Sequence, residues 1–361
     1  MNSRGKGRIA VALSGGVDSS IAAALLQQQG YEVVGLTLSM RHPDPEFSER
    51  QSCGVKNDLD AIAVLVDKLK IEHHFLARYA EFEERVLKPS WRDYANGRTP
   101  NPCCRCNYLV KFGELIKAAQ DLGASALATG HYARLVQLAG HQRILRGVDR
   151  GKDQSYFLYH LTTEQVDFLR FPVGDLEKTV VKQMAADLGL KILAEKKESQ
   201  DACFSAEKEC FSETLRRLFN VSPADGVFIY NGKVVGKHHG IHQFTLGQRK
   251  GLNVALGVPA YVKRIEAATG VVELTTDEAE LEVTTFRAAD LNWQGTANMT
   301  AEKFKADIQV RYRSPSSGGE VQILSGNTAQ ITLEKPVRAV SPGQAAVFYD
   351  GEMLLGGGTI L

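Results

Sequence analysis

The sequence predicts an α/β domain built on a parallel sheet, followed by a small central domain and a C-terminal β-barrel. Three observations carry that expectation. Strand and helix patterns alternate from Arg8 to Gly130, a glycine break ends the first apolar run, and after about Cys210 hairpin signals replace the alternation. Strands that alternate with helices need crossover connections, which make parallel neighbours with helices on both faces.

Taken in order, Arg8 to Leu13 reads as a buried strand, Ser14-Gly15-Gly16 breaks it, and Asp18 to Gln29 reads as a helix closed by Gly30. Tyr31 to Leu38 is the next strand, Asn57 to Leu69 an amphipathic helix, Ile71 to Ala77 a third strand and Ala126 to Gly130 a fourth. A helix is expected from Tyr108 to Ala119. Ligands of such sheets sit beyond the carboxyl ends of the strands. Ser14-Gly15-Gly16 and Thr129-Gly130-His131 both fall there, so they can face one site. Phe211 to Phe219 is a short helix, and Tyr230-Asn-Gly-Lys233, Ala268-Thr-Gly270 and Ser325-Gly-Asn327 mark hairpins. From Val283 onward the pattern is short strands, such as Phe304 to Val310, Glu320 to Leu324 and Ala329 to Leu333, which suit a small closed barrel. The expected domains are 1–208, 209–279 and 280–361.

The 361 residues are 43% hydrophobic and 24% charged, which excludes a disordered or fibrous chain. Forty-three basic against 42 acidic residues give +1, so a nucleic-acid partner must be held by local patches. No apolar run approaches the roughly 20 residues of a membrane span, and no hydrophobic signal region follows Lys6 and Arg8. A cytoplasmic protein without a membrane partner is expected. Of the six cysteines (Cys53, Cys103, Cys104, Cys106, Cys203, Cys210), three lie within four positions. In such a chain that cluster points to metal binding or catalysis.

Ser14-Gly15-Gly16-Val17-Asp18-Ser19-Ser20 joins the first strand to a helix. Adjacent glycines let backbone N–H groups approach an anion, and the helix start adds about half a positive charge. The serine hydroxyls can donate to phosphate oxygens. Asp18 would repel a bare phosphate, and makes sense there if it holds Mg²⁺ that bridges pyrophosphate oxygens. The plainer alternative is a glycine turn with Asp18 or Ser19 as helix cap. No G-x-x-x-x-G-K-[ST] occurs. The loop resembles the PP-loop of N-type ATP pyrophosphatases (adenine nucleotide alpha hydrolase-like), which cleave ATP between the α and β phosphates. That resemblance implies ATP as co-substrate, with Ala12, Leu13, Ser14, Gly15, Gly16, Val17, Asp18, Ser19, Leu38 and Gly130 around the nucleotide.

Thr99-Pro-Asn-Pro-Cys103-Cys104-Arg105-Cys106-Asn107 precedes the expected Tyr108 helix, which would set Cys106 near a helix N-terminus, where the dipole favours thiolate. Cys203 lies in polar surroundings that suggest an accessible loop. Cys103 and Cys106 also have the C-x-x-C spacing of a zinc half-site or a redox pair, but no second half-site completes it. Buried, inert thiols are disfavoured for Cys106 and Cys203; Cys53, Cys104 and Cys210 read as bystanders.

Several segments occur in one order: the PP-loop, N-G-R-T-P-N-P-x-x-x-C-N, A-T-G-H-Y-A-R (Ala128 to Arg134), the stretch Gly147 to Leu158, E-S-x-x-x-C-F, and Phe244-Thr-Leu-Gly-Gln-Arg-Lys-Gly251. Together they resemble the tRNA-specific 2-thiouridylase family over almost the whole chain. The resemblance implies ATP-dependent exchange of the 2-carbonyl oxygen for sulfur at the wobble uridine of tRNAs for Lys, Glu and Gln. It implies Cys203 as persulfide carrier, Cys106 as its partner thiol, a tRNA anticodon stem-loop as partner, and an upstream cysteine desulfurase or relay protein as sulfur donor. It places His131, Lys152, Asp153, Gln154, Arg311, Tyr312 and Gln344 at the tRNA. Arg249, Arg313 and Tyr156 add chemistry suited to phosphates and bases; without the resemblance, Arg311 to Arg313 would read as an exposed edge strand and His131 as a satisfied polar residue. One departure stands out: Cys103 occupies a position that is often Asp in the family. Cys103, Cys106 and Cys203 thus offer three thiolates to a 4Fe–4S cluster with one open iron, an alternative to the persulfide. Two rival readings are another PP-loop enzyme, which would leave Cys106 and Cys203 idle, and a tRNA-binding protein without chemistry.

Overall fold

The computed structural model describes residues 6–44, 56–190, 204, 209–294 and 302–361. It divides into two compact units, one of residues 1–85, 103–207 and 352–354, the other of residues 86–102, 208–351 and 355–361.

The first unit is built on a five-stranded parallel sheet in the order β3-β2-β1-β4-β7. The strands are β1 (Arg8–Ala12), β2 (Glu32–Ser39), β3 (Glu72–Ala77), β4 (Leu127–Ala128) and β7 (Leu169–Arg170). Ile9, Ala10 and Val11 are almost wholly buried because β1 lies in the middle of the sheet and is covered on both faces. The Val17–Gln28 helix packs Ile21, Ala22, Ala23 and Leu26 into the same core as Val11, Leu65, Val181 and Ala185. Its run of alanines lets it approach the sheet closely, and each large side chain so buried contributes about 1.5–3 kcal/mol. From β1 the chain proceeds outward through β2 to β3, then crosses to β4 on the other side of β1. That reversal opens a crevice at the carboxyl ends of β1 and β4. A hairpin of β5 (Ala133–Leu138) and β6 (His141–Arg146) follows.

The second unit contains a four-stranded sheet, order β10-β11-β8-β9, and a six-stranded barrel. In the sheet, β8 (Gly226–Tyr230) and β9 (Lys233–His238) are joined through Asn231 (φ 48°) and Gly232 (φ 74°). Two successive left-handed residues make the turn whose twist matches a hairpin, as the Asn-Gly pair predicts. β10 (Tyr261–Glu266) and β11 (Val271–Thr275) meet at Ala268-Thr-Gly270. Phe228, Phe244, Leu252 and Val262 form the core of this sheet.

The barrel strands are β12 (Glu282–Trp293), β13 (Lys303–Gln309), β14 (Ser317–Leu324), β15 (Thr328–Arg338), β16 (Ala345–Asp350) and β17 (Met353–Ile360). Pairing of β12 with β17, from Ala288↔Ile360 to Trp293↔Gly356, closes the ring. The expectation of short strands throughout is corrected here. β12 has 12 residues and β15 has 11, because β12 serves two neighbours, β15 along its first half and β17 along its second. Among the described residues no helix is long and apolar enough to cross a membrane.

Candidate functional site

At the β1/β4 crevice the chain turns through Ser14-Gly15-Gly16 into the Val17–Gln28 helix, with Gly15 at φ 73°. Gly16 is the N-cap residue and makes no side-chain cap bond. The plainer reading, an Asp18 or Ser19 cap, is therefore not what forms. Ser19 Oγ instead donates to Gly16 O (3.1 Å), accepts from Ser14 N–H (3.2 Å) and lies 3.2 Å from Ser14 Oγ. These bonds brace the loop from inside. Gly130, at the end of β4, packs directly on the helix start: a Cβ there would lie 2.5 Å from Ser19 N and 2.6 Å from the Asp18 carbonyl carbon. Only glycine admits that approach.

A cavity of about 320 Å³ opens here. Ala12, Leu13, Ser14, Asp18, Ser19, Leu38 and Gly130 line it. Gly15, Gly16 and Val17 shape the turn but do not line the cavity. Its walls also include Met40, Arg41, Lys111, His131 and Gln154, with Phe82, Phe112 and Phe204 as an aromatic side. Phe204 stacks on Tyr79 (6.3 Å between centroids) and packs tilted against Phe82 (5.4 Å). The apolar walls suit a flat heterocycle and the glycine loop an anion.

Asp18 does not stand as the sequence suggested. Lys178 Nζ lies 2.7 Å from its Oδ1 and 2.8 Å from its Oδ2, and the Tyr132 hydroxyl donates to Oδ1 at 2.8 Å. Both carboxylate oxygens are thus engaged by a buried ammonium, and the geometry does not fit a direct Mg²⁺ ligand. Among the described residues no group of three His, Cys, Asp or Glu is placed to hold a metal ion. Lys178 is 160 positions from Asp18, and no local pattern announces the pair. Tyr132 was within reach of sequence reading, since it sits in the A-T-G-H-Y-A-R segment.

The cysteine helix begins earlier than expected. It starts at Pro102 (Pro102–Cys106), passes through a π-helical stretch (Asn107–Phe112) and continues as Gly113–Asp121. Proline suits a first helical turn because its missing N–H has no partner there. Cys106 is therefore a turn inside the helix, not at its N-terminus, and it is buried rather than accessible, at 7% exposure. Its Sγ lies 3.6 Å from Met40 Sδ, and Met40 lines the cavity. Cys103 is half-buried. Cys104 is buried against the Tyr156 carbonyl, and burial, then the neighbouring Cys103, pushes its thiol up. Cys210, read as a bystander, is exposed. Cys53 and Cys203 lie outside the described residues.

The residues expected at tRNA divide in two. Burial pushes the His131 imidazole down to about 3, the Lys111 charge acting in the same direction, so the ring in the cavity wall is neutral. Its Nδ1 is 2.8 Å from Thr129 Oγ1. Asp153 is 9% exposed and accepts from Gly147 N–H, Ser155 N–H, Ser155 Oγ and Arg146. Gln154 Oε1 accepts from Tyr132 N–H at 3.0 Å. Lys152 bonds through its backbone to Asp149 O. Tyr156 is 1% exposed and edge-on to Phe157, so its ring is not available to a base. In the second unit, Arg311 to Arg313 form the turn between β13 and β14 rather than an edge strand, with Arg313 at φ 66° and its guanidinium 5.4 Å from the Tyr312 ring. Arg311 and Arg249 are exposed. Gln344 Nε2 donates to Thr99 O and Pro100 O, both at 3.0 Å.

A parallel sheet whose glycine loop and reversal point share one cavity defines an α/β domain of the HUP class. Residues 7–207 match the family described as tRNA methyl transferase HUP domain, residues 212–275 the tRNA methyl transferase PRC-barrel domain, and residues 283–360 the aminomethyltransferase beta-barrel domain. The tRNA-specific 2-thiouridylase MnmA of Anaplasma marginale is 40% identical over 353 residues, covering 98% of this chain and 90% of that protein. The protein of the same name from Heliobacterium modesticaldum is 40% identical over 361 residues, covering 99% and 93%. The chain belongs to the tRNA-specific 2-thiouridylase family of enzymes. Among solved structures, the NMN synthetase of Francisella tularensis aligns over 62% of this chain and 81% of its own, at 18% identity and TM-score 0.34, too distant to add to the reading.

Proposed function

We propose that this chain replaces the 2-carbonyl oxygen of the wobble uridine in tRNAs for Lys, Glu and Gln by sulfur, with ATP held in the 320 Å³ cavity. One observation carries the reading: Cys106 contacts a residue that lines the glycine-loop cavity, and Phe204, next in sequence to Cys203, lines the same cavity. Oxide is a very poor leaving group and AMP a good one. The uridine O2 attacks the α-phosphorus of ATP and pyrophosphate departs. The terminal sulfur of a persulfide on Cys203 then attacks C2, and AMP leaves with the oxygen. Cys106 thiolate attacks the Cys203 sulfur, which leaves the new sulfur on C2 and closes a Cys106–Cys203 disulfide. A thiol reductant reopens it, and a cysteine desulfurase or relay protein reloads the persulfide.

The base must be unstacked from the anticodon loop to reach the cavity, at a cost of a few kcal/mol. Lys152, Arg311 and Tyr312 would repay it at the RNA, together with the neutral His131 in the cavity wall. Asp153, Gln154 and Gln344 spend side-chain groups within the chain, and so would act by holding the contacting loops in shape. The domain boundaries are placed near 208 and 280, and the protein in the cytoplasm.

A 4Fe–4S cluster on Cys103, Cys106 and Cys203 would supply the sulfur chemistry in place of the persulfide. Its support is that Cys103 and Cys106 stand three apart on one helical turn. An anaerobic thiolation assay on unmodified tRNA, with ATP and a desulfurase plus cysteine, tests both readings. Cys106→Ser is expected to stop thiolation. Retained activity in Cys103→Ala supports the relay, and its loss supports the cluster. Wild-type protein that forms no AMP and pyrophosphate would overturn the whole proposal.

A further inference from the structure

We infer that Lys178 is the counter-charge of Asp18, in the place the sequence assigned to a metal ion, and that the net charge of this pair sets the affinity of the glycine loop for the phosphates of a nucleotide. The inference rests on the ATP reading above and adds a positioning residue to it.

The Lys178 ammonium meets both Asp18 oxygens, at 2.7 and 2.8 Å, and Tyr132 donates a third bond at 2.8 Å. Lys178 is 7% exposed. Its backbone is fixed as well: its N–H donates to Asp149 Oδ2 at 3.0 Å, at the start of the Lys178–Asp187 helix. One turn on, Val181 is packed in the core with Ile21 and Ala22. The ammonium is therefore delivered by a rigid element, not by a mobile surface chain.

Electrostatics give this arrangement its consequence. Asp18 lies in the first turn of the Val17–Gln28 helix and lines the cavity beside Ser14 and Ser19. An unpaired carboxylate there would oppose every phosphate that approaches the helix start, and partial burial would strengthen the repulsion. Paired with Lys178, the Asp18 charge is neutralised, and the N-terminal dipole and loop amides act without its opposition, alongside Arg41 and Lys111 in the cavity walls. Tyr132 lies two residues beyond Gly130, so the same carboxylate also ties the end of β4 to the glycine loop.

The test is calorimetric titration of α,β-methylene-ATP into wild type, Asp18→Asn, Lys178→Met and the double variant, with Mg²⁺ and with EDTA. Affinity is expected to follow the net charge of the pair. Lys178→Met, left with a lone carboxylate, should bind about 10- to 100-fold more weakly. The double variant should return close to wild type, and Asp18→Asn, left with the lone ammonium, should bind more tightly than the double. Lys178→Arg, which keeps the charge, should lose less than Lys178→Met. A double variant no tighter than Lys178→Met would overturn the inference, as would Lys178→Met binding like wild type. If Lys178→Met does not fold, equal affinity of Asp18→Asn and the double variant would overturn it. A wild type that binds no nucleotide refutes the ATP reading and this inference with it. A wild type that binds while Lys178→Met is unaffected refutes the inference alone.

Discussion

Replacing Gly130 by Ala should damage the site more than its size suggests. The added Cβ would stand 2.5 Å from Ser19 N, 2.6 Å from the Asp18 carbonyl carbon and 2.9 Å from Asp18 Cβ. None of these atoms is the end of a flexible side chain. Ordinary contact begins at 3.4 Å, so the end of β4 and the start of the helix must part by about 0.9 Å. Overpacking of this kind costs about 1–3 kcal/mol. A displacement near 1 Å among positioned groups costs about hundredfold in rate. The expected result is a melting temperature lowered by a few degrees and pyrophosphate release from ATP, in the presence of tRNA, reduced on the order of a hundredfold. Gly113→Ala is the control. It starts the Gly113–Asp121 helix, and a Cβ there meets only Tyr108 O, at 3.7 Å. That change should stabilise the protein by up to about 1 kcal/mol and leave the rate alone. If Gly130→Ala melts and turns over like wild type, the close approach of β4 to the loop does not hold, and the site geometry built on it fails.

Other outcomes follow from the same structure. Cys104→Ser should keep thiolation while lowering stability, because Cys104 is a buried thiol held protonated by its surroundings and lies outside the cavity lining; loss of activity at normal stability would refute its bystander role. His131, pushed down to about 3 in the folded chain, takes up its proton near pH 6.5 when unfolded. The unfolded state therefore binds more protons between about pH 6.5 and 3, and stability falls as pH drops through that window. Denaturant titrations at pH 7 and pH 5 should show that loss diminished in His131→Gln; an unchanged pH slope would place the proton elsewhere.

Much of the parallel-sheet unit was legible because its signals are local. A buried apolar run followed by two glycines and a helix admits few other readings, and Arg8–Ala12, Val17–Gln28 and Lys56–Leu69 lie within a residue or two of expectation. The Asn231-Gly232 hairpin was equally plain, since few residue pairs adopt two left-handed conformations in succession. The start of the cysteine helix was misplaced by six residues. Pro102 opens the helix, and this moves Cys106 from the expected helix N-terminus into a buried turn.

From the sequence alone came the order of the elements, the glycine loop, the cysteines and the family resemblance, all properties of residues within a few positions of one another. Tertiary structure alone decided that Lys178 neutralises Asp18, that Gly130 bears on the helix start, and that Asp153 faces inward to four donors. The physical reason is range. Backbone preference and hydrophobic period act along the chain, whereas charge pairing and close packing act through space, between residues the chain leaves as much as 160 positions apart.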